Sequence, residues 1–287
     1  MPELLILVGP PGCGKSTRAK YYIEDGVVRV NQDEQGKQGH MDIFESSLLQ
    51  KFDIVVDRMN FNKEQRKRYI EPAKAAGYNV IIEVMHESYE TCLSRCKFRE
   101  NHETIKTTED AKKALDFFFK NYERPTVGEA DLTFFIYPSG PKPSAIICDL
   151  DGTLCNIDHR LHWVRNEGKK NWPMFFAGIK DDSVNTWCKD ILQRCSDEHE
   201  IILCSGRGDE LKESTIDWLS KHGIRYDKLL MRKAGDHRTD YIVKEIILDF
   251  EILTRYTPYF MIDDRQQVVD MWRKRGFTCL QCAKGDF

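Results

Sequence analysis

Two clusters of residues in this chain have the types and spacings that phosphorus chemistry needs. The first is Gly9-Pro-Pro-Gly12-Cys-Gly14-Lys15-Ser16-Thr17, set between the apolar run LLILV and the helix-forming run RAKYYIEDG. Glycines in such a loop let successive backbone N–H groups turn inward around phosphate oxygens. The N-terminus of the helix that follows adds a favourable dipole, Lys15 can neutralise β/γ oxygens, and Ser16 can ligate Mg²⁺. Gly9, Gly12, Gly14, Lys15, Ser16 and Thr17 are therefore candidate nucleotide-binding residues. A glycine-rich turn without a ligand is the bland alternative, and the presence of both flanking elements weighs against it.

The second cluster is Asp149-Leu-Asp151-Gly152-Thr153, which follows SAIIC. Asp149 has the chemistry to attack phosphorus, and Asp151 to protonate a leaving oxygen and later activate water. Adjacent carboxylates need a cation, which points to Mg²⁺. Three more motifs follow in order. Ser205-Gly206-Arg207 closes the run EIILC, with a hydroxyl and a glycine suited to phosphate oxygens. Asp240 and Lys244 are i, i+4 neighbours that can pair, and Lys244 can also meet the phosphate and Asp149. Asp263 and Asp264 end the run Tyr259-Phe-Met-Ile and are the expected remaining metal ligands beside Asp149 and Asp151.

Other residues of the first half carry two readings each. Asp33 can accept the proton of an attacking hydroxyl or merely cap the helix after it. Asp57 ends FDIVV, where a carboxylate can assist a metal or orient an acceptor. Lys63–Arg68 is a basic helical stretch, more simply a solvated face than a polyanion site. Arg95 and Arg99 are i, i+4 neighbours on one helix face. They fit either a lid over a transferring phosphoryl group or plain surface charge.

The elements that must position these residues repeat one grammar: a short apolar strand, a Gly- or Asp-rich turn, a helix. Expected strands are Leu4–Val8, Asp53–Val56, Val80–Val84 and Leu132–Ile136, then Ala145–Cys148, Glu200–Cys204, Lys228–Met231 and Tyr259–Ile262. Apolar strands alternating with helices predict α/β architecture, with parallel sheets flanked by helices and chemistry at the strands' carboxyl ends. Tyr137-Pro-Ser-Gly-Pro-Lys-Pro-Ser144 can continue neither helix nor central strand, so the expected domains are 1–140 and 141–287. A chain of 287 residues is long enough for two cores. With 41% hydrophobic residues it can build them, so disorder is excluded as the dominant state. A net charge of −3 excludes a globally basic coat but not a local basic groove. No apolar run reaches membrane-spanning length and no signal peptide is recognisable, so ten cysteines read as buried hydrophobes rather than disulfides.

Four motifs at four strand ends make the second half similar to the haloacid dehalogenase (HAD) superfamily of phosphatases, with a Rossmann-like fold. With a P-loop kinase in front, the whole chain resembles the polynucleotide kinase/3′-phosphatase family of T-even bacteriophages. The resemblance rests on Arg160 after the Asp149 loop, on Gly235-Asp-His-Arg-Thr-Asp240-Tyr-Ile-Val-Lys244-Glu, on Ile262–Arg273, and on the final Lys284-Gly-Asp-Phe287. It implies ATP-dependent phosphorylation of RNA or DNA 5′-OH ends, removal of 3′-phosphate or 2′,3′-cyclic phosphate, and service to a nucleic-acid ligase. It implies Asp33 as general base, with Asp57 at the acceptor, and Arg95 and Arg99 as the nucleotide lid. It places Arg160, Arg207, Asp240 and Lys244 around the 3′-phosphate. It further implies a homotetramer in the cytoplasm, of the host if phage-encoded. One departure is Gly36, where the family has an arginine thought to contact the acceptor, with Lys37 as the neighbouring cation. A nucleoside kinase fused to a mononucleotide phosphatase is the alternative. A module that senses ends without turnover is disfavoured, since no expected catalytic side chain is missing.

Overall fold

The short apolar runs become the central strands of two separate parallel sheets. The computed structural model describes residues 1–97, 107–165 and 170–285. The chain divides between Ser139 and Gly140 into two units. Strands of the first unit are β1 (Glu3–Val8), β2 (Val28–Val30), β3 (Ile54–Asp57), β4 (Asn79–Met85) and β5 (Leu132–Ile136). They pair in parallel in the order β2-β3-β1-β4-β5. Helices connect them, so β1 is covered on both faces, and Leu4, Ile6, Leu7 and Val8 have no exposed surface.

The second unit holds β6 (Ser144–Cys148), β7 (Cys155–Asn156), β8 (Ser183–Val184), β9 (Glu200–Gly208), β10 (Lys228–Arg232), β11 (Thr257–Asp263) and β12 (Cys279–Gln281). Its main sheet is parallel, in the order β10-β9-β6-β11-β12. A small antiparallel pair, β7 and β8, stands apart from it. In both sheets the strand that leads into a phosphate motif, β1 or β6, lies at the centre with neighbours on both sides.

Besides the short strands β2, β7 and β8, other features depart from the expected strands. Leu132–Ile136 is not a buried strand: β5 forms the sheet edge, paired with β4 alone, and Leu132 and Phe134 are each 49% exposed. β9 runs past its apolar residues to Gly208, bulging by Gly206 and Arg207 between its pairings with Met231 and Arg232 of β10. β12 is only three residues long, too short to show periodicity in the sequence. Eight of the ten cysteines are buried free thiols. Among the described residues, no helix is long and apolar enough to cross a membrane.

Candidate active sites

In the first unit the loop after β1 wraps into the helix Lys15–Glu24, whose N-cap is Gly14 in a left-handed conformation. Gly12 is left-handed too, at φ 84°, and a Cβ there would lie 3.0 Å from Cys92 Cα, so only glycine fits. Lys15 is buried, and its Nζ donates to the carbonyl oxygens of Gly9 (2.9 Å) and Pro10 (2.7 Å). Gly12, Gly14, Thr17, Arg18, Tyr21 and Arg95 line one cleft. Ser16 is half-buried on the first turn of the helix, beside it. Arg95 is tied to the loop by a 3.3 Å bond to the Gly12 carbonyl and is oriented by Glu87 at 2.9 Å. Arg99 lies outside the described residues.

Asp33 sits exposed in a one-turn helix, Gln32–Gln35, and it does not cap that helix. The cap is Asn31, whose Oδ1 accepts from the N–H groups of Asp33 (2.9 Å) and Glu34 (3.1 Å). The Asn31 amide in turn donates to Asp57 Oδ2 at 3.1 Å. Asp57 is buried and already carries Arg29, at 2.6 and 3.0 Å. Through Oδ2, which takes all three of these bonds, its carboxylate anchors the Asp33 turn.

A second network holds the turn from behind. Arg58 Nη1 donates to Tyr69 Oη at 2.6 Å, Tyr69 Oη meets His40 Nε2 at 3.1 Å, and His40 Nδ1 meets the Gly36 carbonyl at 2.9 Å. The Gly36 carbonyl can only accept, so Nδ1 carries a proton, and in the neutral ring Nε2 then accepts from the Tyr69 hydroxyl. Burial lowers the His40 pKa, the Gly36 bond opposes that shift, and the charges of Arg58 and Arg68 reinforce it. The sequence reading missed Arg29, Asn31, His40, Arg58 and Tyr69. Only Asn31, a common N-cap type two residues before Asp33, carried a local signal.

In the second unit, Asp149 leaves the end of β6 and meets Asp263 and Asp264 from the end of β11. Oxygen atoms of these three acids lie within 4.8 Å of one another. Lys244, 1% exposed, projects from the helix Asp240–Ile247 into the same space. Its Nζ is 2.6 Å from Asp149, 2.9 Å from Asp263 and 3.5 Å from Asp240. Burial opposes the ammonium, but the three carboxylates outweigh it and hold its pKa well above the usual lysine value. One lysine does not balance the set. Burial and then Asp263 push the Asp264 carboxyl up to about 7, and its Oδ1 is buried without a partner. Three hard oxygen donors with surplus negative charge and an unpartnered atom suit a divalent cation such as Mg²⁺. The approach is close enough that a Cβ on Gly152 (φ 86°) would collide with the Asp264 carboxylate.

Asp151 is not brought into that group. Arg160 Nη2 holds its Oδ1 at 2.5 Å, and Arg207 bonds both oxygens, at 2.6 and 2.9 Å. Burial alone would raise this carboxyl, but Arg207 and then Arg160 outweigh it and keep it far below the usual carboxylate range. Asp182, which no motif pointed to, completes the clamp. It takes Arg160 at 2.6 Å on each oxygen and Arg207 at 3.3 Å, all buried. Ser205 is fully buried, and its Oγ accepts the Arg207 N–H at 3.2 Å. Asp240 faces Arg232 (3.2 Å) and Arg265 (3.7 Å) as well as Lys244, and a Cβ on Gly206 would strike it.

Comparison with known proteins finds relatives over the whole chain and a family for the second unit. Over 94% of its length the chain is 28% identical to a protein of Autographa californica nuclear polyhedrosis virus named as a bifunctional polynucleotide kinase/RNA ligase. It spans 41% of that relative's own length. Two structures of a Pnkp1/Rnl/Hen1 complex, one titled as an RNA repair complex, contain a similar chain. They are 28% and 27% identical, cover all of this chain and 97% and 98% of theirs, and overlay with TM-scores of 0.44 and 0.45. A family model described as the polynucleotide kinase PNKP phosphatase domain matches residues 143–287, from the residue before β6 to the last residue. The chain therefore belongs to the PNKP phosphatase-domain family.

Proposed function

We propose that this chain heals broken nucleic-acid ends. Residues 1–140 would transfer the γ-phosphate of ATP to a 5′-OH, and residues 141–287 would remove a 3′-phosphate. The observation that carries the reading is the charge arrangement of the second unit. A nucleophilic carboxylate, Asp149, is held 2.6 Å from Lys244, while a second carboxylate, Asp151, is held apart by two arginines. Burial and the neighbouring acids push the Asp149 carboxyl up in spite of Lys244, so an ionised nucleophile there calls for the cation the three acids would hold.

In the forward step an Asp149 oxygen attacks phosphorus and the bond to the 3′-oxygen breaks. That oxygen takes a proton delivered through Asp151. Water activated by Asp151 then cleaves the aspartyl-phosphate. As an anion between Arg160 and Arg207, Asp151 must have a guanidinium bond loosened before it can take a proton from water. To donate it must first bind a proton, which requires loosening at least one guanidinium bond. Lys244 and the Ser205 hydroxyl are the groups that can meet phosphate oxygens. Mg²⁺ held by Asp149, Asp263 and Asp264 would supply the charge neutralisation that Lys244 alone does not.

In the first unit Lys15 and Arg95 would meet nucleotide phosphates, and Asp33 would take the 5′-hydroxyl proton. The name of the viral relative, which includes an RNA ligase, supports a partner reaction that seals the healed ends.

Separability tests the assignment. Lys15→Ala should abolish labelling of a 5′-OH oligonucleotide and leave 3′-phosphate release intact, and Asp149→Asn should do the reverse. Loss of both activities in either folded variant would refute two independent sites. Mg²⁺ should also raise the melting temperature of wild type and not of Asp263→Asn.

A further inference from the structure

Between Arg160 and Asp182 the sequence carries Trp163, Trp172, Phe175 and Phe176. Phe175 is 1% exposed, and its carbonyl accepts from Arg160 Nη1 at 3.3 Å. The Arg160 guanidinium lies 4.1 Å from the centre of the Phe175 ring. Trp172 stands edge-on to Phe175, with centroids 5.7 Å apart, and is stacked on Phe176 at 5.9 Å with planes 25° apart. Phe176 packs against the core of this unit, so it backs the indole. Trp172 itself stays 37% exposed. Lys170 Nζ is 5.6 Å from the indole centre. An unbroken series of contacts thus runs from Asp151 through Arg160 and Phe175 to a partly exposed indole with the Lys170 ammonium over its ring, where an incoming base would have to displace it.

A large exposed aromatic with a rigid backing is a good surface for flat π-systems, and the nearby ammonium favours a ligand that also carries phosphates. We propose that Trp172, backed by Phe176, is a stacking platform for the base of the nucleotide that bears the 3′-phosphate. This rests on the 3′-phosphatase reading above. It adds a base-binding site without hydrogen-bond readout, hence tolerant of base identity. Lys170 contributes by attracting the backbone of the same strand.

The test compares 3′-phosphorylated oligonucleotides whose last nucleotide has its base or is abasic, on wild type, Trp172→Ala and Trp172→Phe. Removing the base should lower wild-type kcat/KM by about tenfold to a hundredfold, the scale of one stacking contact. Trp172→Ala should show the same fall on the ordinary end and no further fall on the abasic end. Trp172→Phe keeps a ring and should recover most of the loss on the ordinary end and none on the abasic one. Melting temperatures near wild type show that the variants are folded. Losses that simply multiply, or an ordinary end cleaved equally well by Trp172→Ala, overturn the platform while leaving the phosphatase reading standing. Wild type that releases no phosphate from either end overturns both.

Discussion

Asp149 and Asp33 are the carboxylates to which we assign the first step of each reaction, and their surroundings are opposite. Asp149 is buried, bonded to an ammonium and crowded by two further acids. Asp33 is exposed, and the groups around it hold its backbone turn rather than its carboxylate. The charges of the second unit meet one another directly, as in Asp149–Lys244–Asp263 and Asp151–Arg160–Asp182. Those of the first unit support a loop from outside, as in Arg29–Asp57–Asn31. Direct pairing fixes the reacting atoms but makes every member a stability determinant. Outside support leaves the reacting atom free to meet a varied polymer end. Mutations should therefore separate activity from stability in the first unit and couple them in the second.

Asp33→Asn is the strongest probe of that contrast. Phosphorylation of 5′-OH ends should fall by about two to four powers of ten, the scale of a positioned general base. ATP affinity and melting temperature should stay at wild-type values, because Asn31 and not Asp33 caps the turn. A variant with full activity would remove Asp33 from the chemistry. Lys244→Met tests the other side. Removing one partner of a buried charge cluster typically destabilises by about 3–5 kcal/mol. Denaturant unfolding of the second unit should show that loss, and Asp263→Asn in the same background should restore part of it. Unchanged stability would mean the acids are neutralised some other way.

Smaller effects sharpen the picture. Asn31→Ala removes a cap and the bond to Asp57, so about 1 kcal/mol of stability should go, with a lower rate of 5′ phosphorylation from a looser Asp33 turn. If the rate is unmoved, the turn does not need its anchor. Glu71→Ala breaks only the exposed Lys67–Glu71 pair, and thermal unfolding should register no more than about 0.5 kcal/mol.

What could be seen in the sequence follows the same division. Residues that act within one turn of a strand end, Lys15, Asp149, Asp263 and Asp264, are visible because backbone and chemistry are encoded together in a few adjacent positions. Parallel strands were legible for the same reason: a covered strand needs consecutive apolar residues, and LLILV and AIIC have them. Asp182 and His40 were not legible. Each joins its site only through tertiary contact, across 22 residues to Arg160 or 29 to Tyr69. Nothing in their neighbours distinguishes them from other polar residues. Asp151 was legible as a site residue but not in its surroundings, since a spacing of two does not say that arginines at 160 and 207 will turn it away from the other acids.

The strand order also has a consequence for synthesis. β1 sits between β3 and β4, so its two edges are satisfied once Ile54–Asp57 and Asn79–Met85 have been made. β6 has a longer wait, because its neighbours are Glu200–Gly208 and then Thr257–Asp263. At common elongation speeds of about 5–20 residues per second, the second edge of β6 stays unpaired for on the order of ten seconds. During that time AIIC is an apolar strand with an open side, the kind of segment that chaperones bind and that seeds aggregation when they do not. Poor yield on rapid overexpression should therefore trace to the second unit, and slower translation or lower temperature should relieve it more than changes confined to the first.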